Sequence, residues 1–167
     1  TNFDTTLSSG AAIASKIAQL NLINGSGTIN GSALTAINGT AADVVESLLS
    51  LDVDPANFNS TLTAGTSLAV DITALEAVNG NGSIDGSALT EIDGTAAAVV
   101  QAIADLDTDP TNFNSPLTGT ADAADITAIE AANGTGTIDG SALTAINGTY
   151  AEIAQALSDL DTDPTNF

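Results

Sequence analysis

The only side chains able to do acid–base or metal chemistry near neutral pH are carboxylates, and they recur in a pattern. Asp105, Asp107 and Asp109 alternate along the chain, as do Asp159, Asp161 and Asp163, while an earlier copy has Ser50, Asp52 and Asp54. Oxygen ligands at every second residue are how a calcium loop begins, because the intervening residues let successive oxygens converge on one hard cation. Asn57, Asn112 and Asn166 follow each cluster and could add an amide oxygen. Calcium is thus the one cofactor the sequence raises, with Asp52, Asp54, Asp105, Asp107, Asp109, Asp159, Asp161 and Asp163 as its candidate ligands. The rest of a calcium loop is missing: Pro55, Pro110 and Pro164 stand where glycine is wanted, and no bidentate glutamate follows. A second reading stays open beside the first, in which these aspartates are solvated turn residues and the last of each set is held extended by its proline.

Other chemistries fail on inventory. With no His and no Cys there is neither imidazole base nor thiolate. Ser32, Ser87 and Ser141 each follow a glycine but have no base to activate them. The segment Asn79-Gly80-Asn81-Gly82-Ser83-Ile84-Asp85 resembles the middle of an EF-hand loop, yet aligning Gly82 with the loop glycine puts Ala77 and Ala88 at the first and last ligands. It reads as a glycine-permitted chain reversal, like its copies Asn24-Gly25-Ser26-Gly27 and Asn133-Gly134-Thr135-Gly136. These Gly-x-Gly segments carry no lysine and precede extended chain, so they do not form a phosphate cradle. Every acidic pair recurs as part of the scaffold, which argues against a single carboxylate pair for glycoside hydrolysis. The chain is therefore expected not to be an enzyme. Asn-x-Ser/Thr triplets at Asn24, Asn30, Asn38, Asn59, Asn81, Asn133 and Asn147 are glycan acceptors or, in so Asn- and Gly-rich a sequence, turn residues.

Charge narrows the partners. The 167 residues hold 21 acidic side chains and a single basic one, Lys16, for a net charge of −20. Nucleic acid and anionic membrane surfaces would be repelled. No apolar run is long enough to span a membrane. Leu, Ile, Val and Phe number 16, 14, 7 and 4, about a quarter of the chain, which exceeds the roughly one-fifth associated with disorder at high net charge. The chain is expected to fold around a thin core, because alanine is abundant and aromatics are only 3%.

What positions these residues is a tandem repeat. Asn-Phe occurs at Asn2-Phe3, Asn57-Phe58, Asn112-Phe113 and Asn166-Phe167, at steps of 55, 55 and 54 residues, and Gly-Ser-Ala-Leu-Thr keeps the same step at Gly31, Gly86 and Gly140. Three units follow, 4–58, 59–113 and 114–167, with residues 1–3 as the tail of a preceding unit, so that the chain reads as cut from a longer array. Apolar spacing predicts helix A near 10–22, 66–78 and 121–132, ending at Asn-Gly, and helix B near 41–51, 96–106 and 150–160, with Thr149 as an N-cap and a proline as the stop. Residues 137–146 and a short stretch after Asn112-Phe113 read as strands. Gly119-Thr120 before helix A looks like Gly148-Thr149 before helix B, giving two similar halves of about 27 residues, within the range of solenoid coils. The predicted fold is α/β: a tandem-repeat β/α solenoid with parallel strands on one side and short Ala-rich helices on the other. The competing arrangement is a string of separate α/β domains of about 55 residues, a marginal size for independent folding.

The run Gly-Thr-Ile-Asp-Gly-Ser-Ala-Leu-Thr-Ala-Ile-Asn-Gly-Thr (136–149), followed by an Ala-rich helix, resembles the tandem modules of very large bacterial cell-surface and secreted proteins, including cyanobacterial haemolysin-type and motility-associated surface proteins. The resemblance covers the whole chain through low-complexity motifs. It implies an extracellular, cell-surface location and a structural or adhesive, often calcium-associated, role. The glycine-rich nonapeptide of haemolysin-type calcium rolls is absent, so no ligand carries over from it. Composition agrees with secretion, since the chain lacks oxidisable sulfur and its acidity keeps a long array soluble and extended. The expected function is a structural segment of an extracellular filament, surface layer or adhesin stalk whose partner is itself, stacking end to end. The alternative is an adhesive module for polysaccharide, host surface or ice, which the scarcity of aromatics and the replacement of Thr28 and Thr137 by Ser83 in the middle unit disfavour.

Overall fold

A computed structural model describes residues 2–165. The fourth Asn-Phe pair, Asn166-Phe167, lies outside the described residues. In the first unit β1 (Thr5–Thr6) and β2 (Gly10–Ile13) lead into α1 (Ala14–Ile23), then β3 (Ile29–Asn30), β4 (Leu34–Asn38) and α2 (Ala41–Leu48). The second unit repeats the order as β5 (Ser60–Thr61), β6 (Gly65–Leu68), α3 (Ala69–Glu76), β7 (Ile84–Asp85), β8 (Leu89–Asp93) and α4 (Ala96–Asp105). In the third the short strands fuse into β9 (Ser115–Asp122) before α5 (Ala123–Ala132) and β10 (Ile138–Asn147) before α6 (Tyr150–Asp159). The helices start at residues 14, 41, 69, 96, 123 and 150, so each half-unit takes 27 or 28 residues.

Among the described residues the strands form five two-stranded sheets and no closed barrel. Every pairing is parallel: β1 with β3, β2 with β4, β5 with β7, β6 with β8 and β9 with β10. Isolated parallel bridges carry the pairing across the unit boundaries, as in Ala36 with Asn59, Gly39 with Leu62, Glu91 with Asn114 and Gly94 with Leu117. Helices pack in chain order, each on the next from α1 to α6. The buried apolar side chains form one cluster from Ala14 to Leu160, which separate beads of 55 residues would not share.

Side-chain size explains the closeness of the layers. Helices α3 and α5 bury residues three apart, Ala69, Ile72 and Leu75 in one and Ala123, Ile126 and Ile129 in the other, one apolar stripe of a 3.6-residue helix. The alanine that opens each stripe meets a glycine: a Cβ built on Gly39, Gly94 or Gly148 would come 3.1, 3.2 or 3.1 Å from the Cβ of Ala14, Ala69 or Ala123. Helices α2, α4 and α6 are capped by Thr40, Thr95 and Thr149, whose hydroxyls accept the N–H of Asp43, Ala98 and Glu152. Glu152 returns the bond to Thr149 and closes a capping box. Beyond the other ends Gly25, Gly80 and Gly134 take φ of 69°, 73° and 69°, a left-handed turn directly after Asn24, Asn79 and Asn133 that reverses the chain past helix A.

Two expectations need correction. Helix A starts two to four residues later than its apolar spacing suggests, because residues 10–13, 65–68 and 119–122 stay extended, paired to the following half-unit. Gly119-Thr120 is accordingly strand, not the counterpart of Gly148-Thr149: Asp122 pairs with Asn147, and α5 follows Asp122 with no side-chain cap. Helices α4 and α6 also end at Asp105 and Asp159, ahead of Pro110 and Pro164, where Asp107 and Asp161 turn their N–H groups to the carbonyls of Ile84 and Ile138.

Candidate functional site

Successive members of the alternating aspartate sets face different partners. The middle one reaches to the preceding half-unit, where Oδ2 of Asp52, Asp107 and Asp161 accepts the backbone N–H of Ile29, Ile84 and Ile138 at 2.7, 2.8 and 2.8 Å. With the return bonds to the carbonyls of the same isoleucines, each aspartate ties down a buried strand residue through both its side chain and its backbone. Asp105 and Asp159 instead accept from Gln101 and Gln155 of their own helices at 2.7 Å, and Asp159 also accepts from Thr127 of α5 at 2.7 Å. Asp54, Asp109 and Asp163 are exposed. Burial raises the pKa of Asp109. Among the described residues no three carboxylates are grouped as a place for a metal ion.

The Asn-Phe marker proves to be the second half of the same device. Oδ1 of Asn2, Asn57 and Asn112 accepts the backbone N–H of Ser26, Asn81 and Thr135 at 3.2, 2.8 and 2.9 Å. Two residues on, Asp4, Asn59 and Asn114 accept the N–H of Thr28, Ser83 and Thr137 at 2.8, 3.0 and 3.0 Å. Between them Phe58 and Phe113 turn inward and are among the largest fully buried side chains. Their N–H groups donate to the carbonyls of Asn79 and Asn133, whose side-chain amides in turn donate to the carbonyls of Gly82 and Gly136. The glycine-rich reversals are therefore clamped by chain 23 or 24 residues earlier. Asn57 and Asn112, which by spacing alone could add an amide oxygen to the acidic turn, hold backbone instead. The available signal was the alternation polar–aromatic–polar, which puts two amides on one face of an extended segment and the ring on the other.

The remaining polar positions serve the same scaffold. Asn30, Asp85 and Asp139 accept the N–H of Ser32, Ser87 and Ser141, which are exposed. Hydrogen bonds from Ser87, side chain and backbone, lower the Asp85 pKa; the Ser141 backbone and side chain do so for Asp139, the Thr28 backbone and side chain for Asp4, and the Thr149 backbone and side chain for Glu152. Asp93 is the exception, its pKa raised by burial and then by the neighbouring Glu91. Of the glycan triplets, Asn24 and Asn133 are buried with their amide nitrogens donating to Gly27 and Gly136, so neither side chain is open to modification.

The two ends differ from the interior. At the first, a cleft of about 310 Å³ is lined by Leu7, Ala12, Lys16, Ile17, Leu20 and Leu34, among others. At the other, α6 buries only Ala156, whereas α2 and α4 each bury three residues. No helix among the described residues is long and apolar enough to cross a membrane. Compared with known protein families, curated proteins and solved structures, the chain has no match.

Proposed function

We propose that the chain is a structural repeat segment: a β/α solenoid whose parallel strands line one side and whose Ala-rich helices line the other, extending an extracellular filament, surface layer or adhesin stalk by end-to-end stacking. The observation that carries the reading is the use made of the polar side chains with the best chemical credentials. Asp52, Asp107 and Asp161, with Asn57, Asn59, Asn112 and Asn114, hold backbone N–H groups of neighbouring half-units. Groups engaged in holding backbone are poor candidates for turnover, and their recurrence in each unit is what a rod requires. High negative charge and the absence of Cys and Met fit an exposed, oxidising setting.

Electron microscopy and sedimentation velocity across concentrations test it. Rods that lengthen with concentration are the expected result. Particles of fixed size at every concentration, or retention on a glycan array or on ice by a chain that stays monomeric, would replace the structural reading with the adhesive one.

A further inference from the structure

We propose that Asn81 is a site of asparagine-linked glycosylation on the folded chain, the acceptor of a hexose that a transferase delivers from a nucleotide-activated sugar. The inference does not rest on end-to-end stacking. Asn81 lies in the middle unit, on the glycine reversal between α3 and β7, with one unit before it and one after it.

The chemistry of transfer sets the conditions. The asparagine amide nitrogen attacks the anomeric carbon of the sugar: an N–C bond forms as the C–O bond to the nucleotide diphosphate breaks, the diphosphate leaves with the electron pair, and the amide proton passes to a base of the transferase. The carboxamide must therefore be free to turn into the active site of a second protein. The hydroxyl two residues on must be free to be read there, and both must stand on the surface. Seven Asn-x-Ser/Thr triplets meet the sequence requirement, and the structure separates them.

Asn24 and Asn133 fail on burial. Asn30 and Asn38 are half-buried, and their Oδ1 atoms accept the N–H of Ser32 and Thr61 at 3.0 Å each. Thr40, which completes the Asn38 triplet, is also committed as the cap of α2. Asn147 is exposed, but its amide donates to Asp122 at 3.4 Å and Thr149 caps α6. Asn59 is exposed as well; its Oδ1 holds the Ser83 N–H at 3.0 Å, and the two residues that complete its triplet form β5, paired to β7.

Asn81 meets every condition. Asn81 and Ser83 are exposed, and among the described residues neither side chain has a hydrogen-bond partner. The clamp engages their backbone instead: their N–H groups go to Asn57 at 2.8 Å and Asn59 at 3.0 Å, and the Ser83 carbonyl accepts the Ser60 N–H at 2.8 Å. The triplet is thus held in place without the use of its side chains. Both residues depart from the repeat, since the counterparts of Asn81 are Ser26 and Thr135 and those of Ser83 are Thr28 and Thr137. Thr137 donates its hydroxyl to Asn114 at 3.1 Å, and the Thr28 side chain is bonded to Asp4. The middle unit alone places at this reversal a carboxamide and a hydroxyl that the fold does not use. A hexose on Asn81 projects from an exposed turn and displaces none of the ties between half-units.

The test uses the folded 167-residue chain, UDP-glucose and a soluble asparagine glucosyltransferase active on unstructured Asn-x-Ser/Thr peptides. The intact mass should rise by one hexose, and a peptide map should place it at Asn81 with only traces at the other triplets. Asn81→Gln and Ser83→Ala should each abolish the gain. Both variants, and the modified parent, should melt where the unmodified parent does, because neither side chain is bonded or buried. A chain that gains no hexose, gains it chiefly at Asn59 or Asn147, or gains it equally at several triplets overturns the assignment. None of these outcomes touches the stacking reading, which is decided by rod length.

Discussion

At the scale of single residues, identical side chains two positions apart in sequence do opposite things because the backbone faces them differently. Asp107 accepts the Ile84 N–H at 2.8 Å, whereas Asp109 is exposed and burial of part of its carboxyl raises its pKa. Asp107→Ala leaves a half-buried donor without its acceptor and should cost about 1–3 kcal/mol, while Asp109→Ala should stay within about 0.5 kcal/mol of the parent, both read from urea midpoints. Asp93 offers a sharper case. Its carboxylate is raised in pKa by burial and by Glu91, so its favourable contribution is complete below the unfolded-state pKa and is lost as pH rises through the higher folded-state value. At neutral pH the ionised group weakens the fold, and the same position in the other units is Asn38 or Asn147. Asp93→Asn should therefore raise the Tm at pH 7 by a few degrees, with the gain shrinking toward zero near about pH 3, where both states are protonated. A gain independent of pH would show that charge is not its source.

At the scale of elements, helix ends and glycine reversals were legible in the sequence because their determinants are local. Thr149 caps α6, Asn133 and Gly134 end α5, and residues 138–147 form a strand one residue from where alternation placed it. The start of helix A was not legible. Residues 119–122 have no local reason to remain extended; they do so because the strand 24 or 25 residues later holds them, and that register is invisible without the fold. The clamps of Asn57 and Asn112 were hidden for the same reason, and the aspartates suggested calcium because local spacing resembles a loop whose distant partners it does not reveal. Close approach of such elements has a testable corollary. A Cβ on Gly82 would fall on the Phe58 carbonyl, part of the rigid clamp, whereas one on Gly86 would meet the end of the Leu106 side chain at 2.7 Å. Gly82→Ala should cost at least about 3 kcal/mol and Gly86→Ala about 1–2 kcal/mol, since a leucine terminus can yield and a backbone carbonyl cannot. Equal losses in thermal melts would mean the clamp is looser than its hydrogen bonds indicate.

At the scale of the molecule, the opposing terms are a thin continuous core and a net charge of −20 with one cation to offset it. The unfolded chain separates those charges and the fold gathers them, so self-repulsion acts against the native state and is relieved by screening. Raising sodium chloride from about 10 mM to about 150 mM shortens the Debye length from about 30 Å to about 8 Å, and the Tm should climb over that range. Asp52, Asp107 and Asp161 already hold backbone N–H groups, and Asp105 and Asp159 hold glutamines. Calcium would therefore act on the diffuse acidic surface, and magnesium at the same concentration should raise the Tm nearly as much. Chelation should return both to the sodium-chloride value at matched ionic strength. A rise produced by micromolar calcium and not by magnesium would instead require a built site, with Asp105 and Asp107 released from their present partners to join Asp109, and the aspartates would then be switches between two arrangements of the turn rather than fixed ties between half-units.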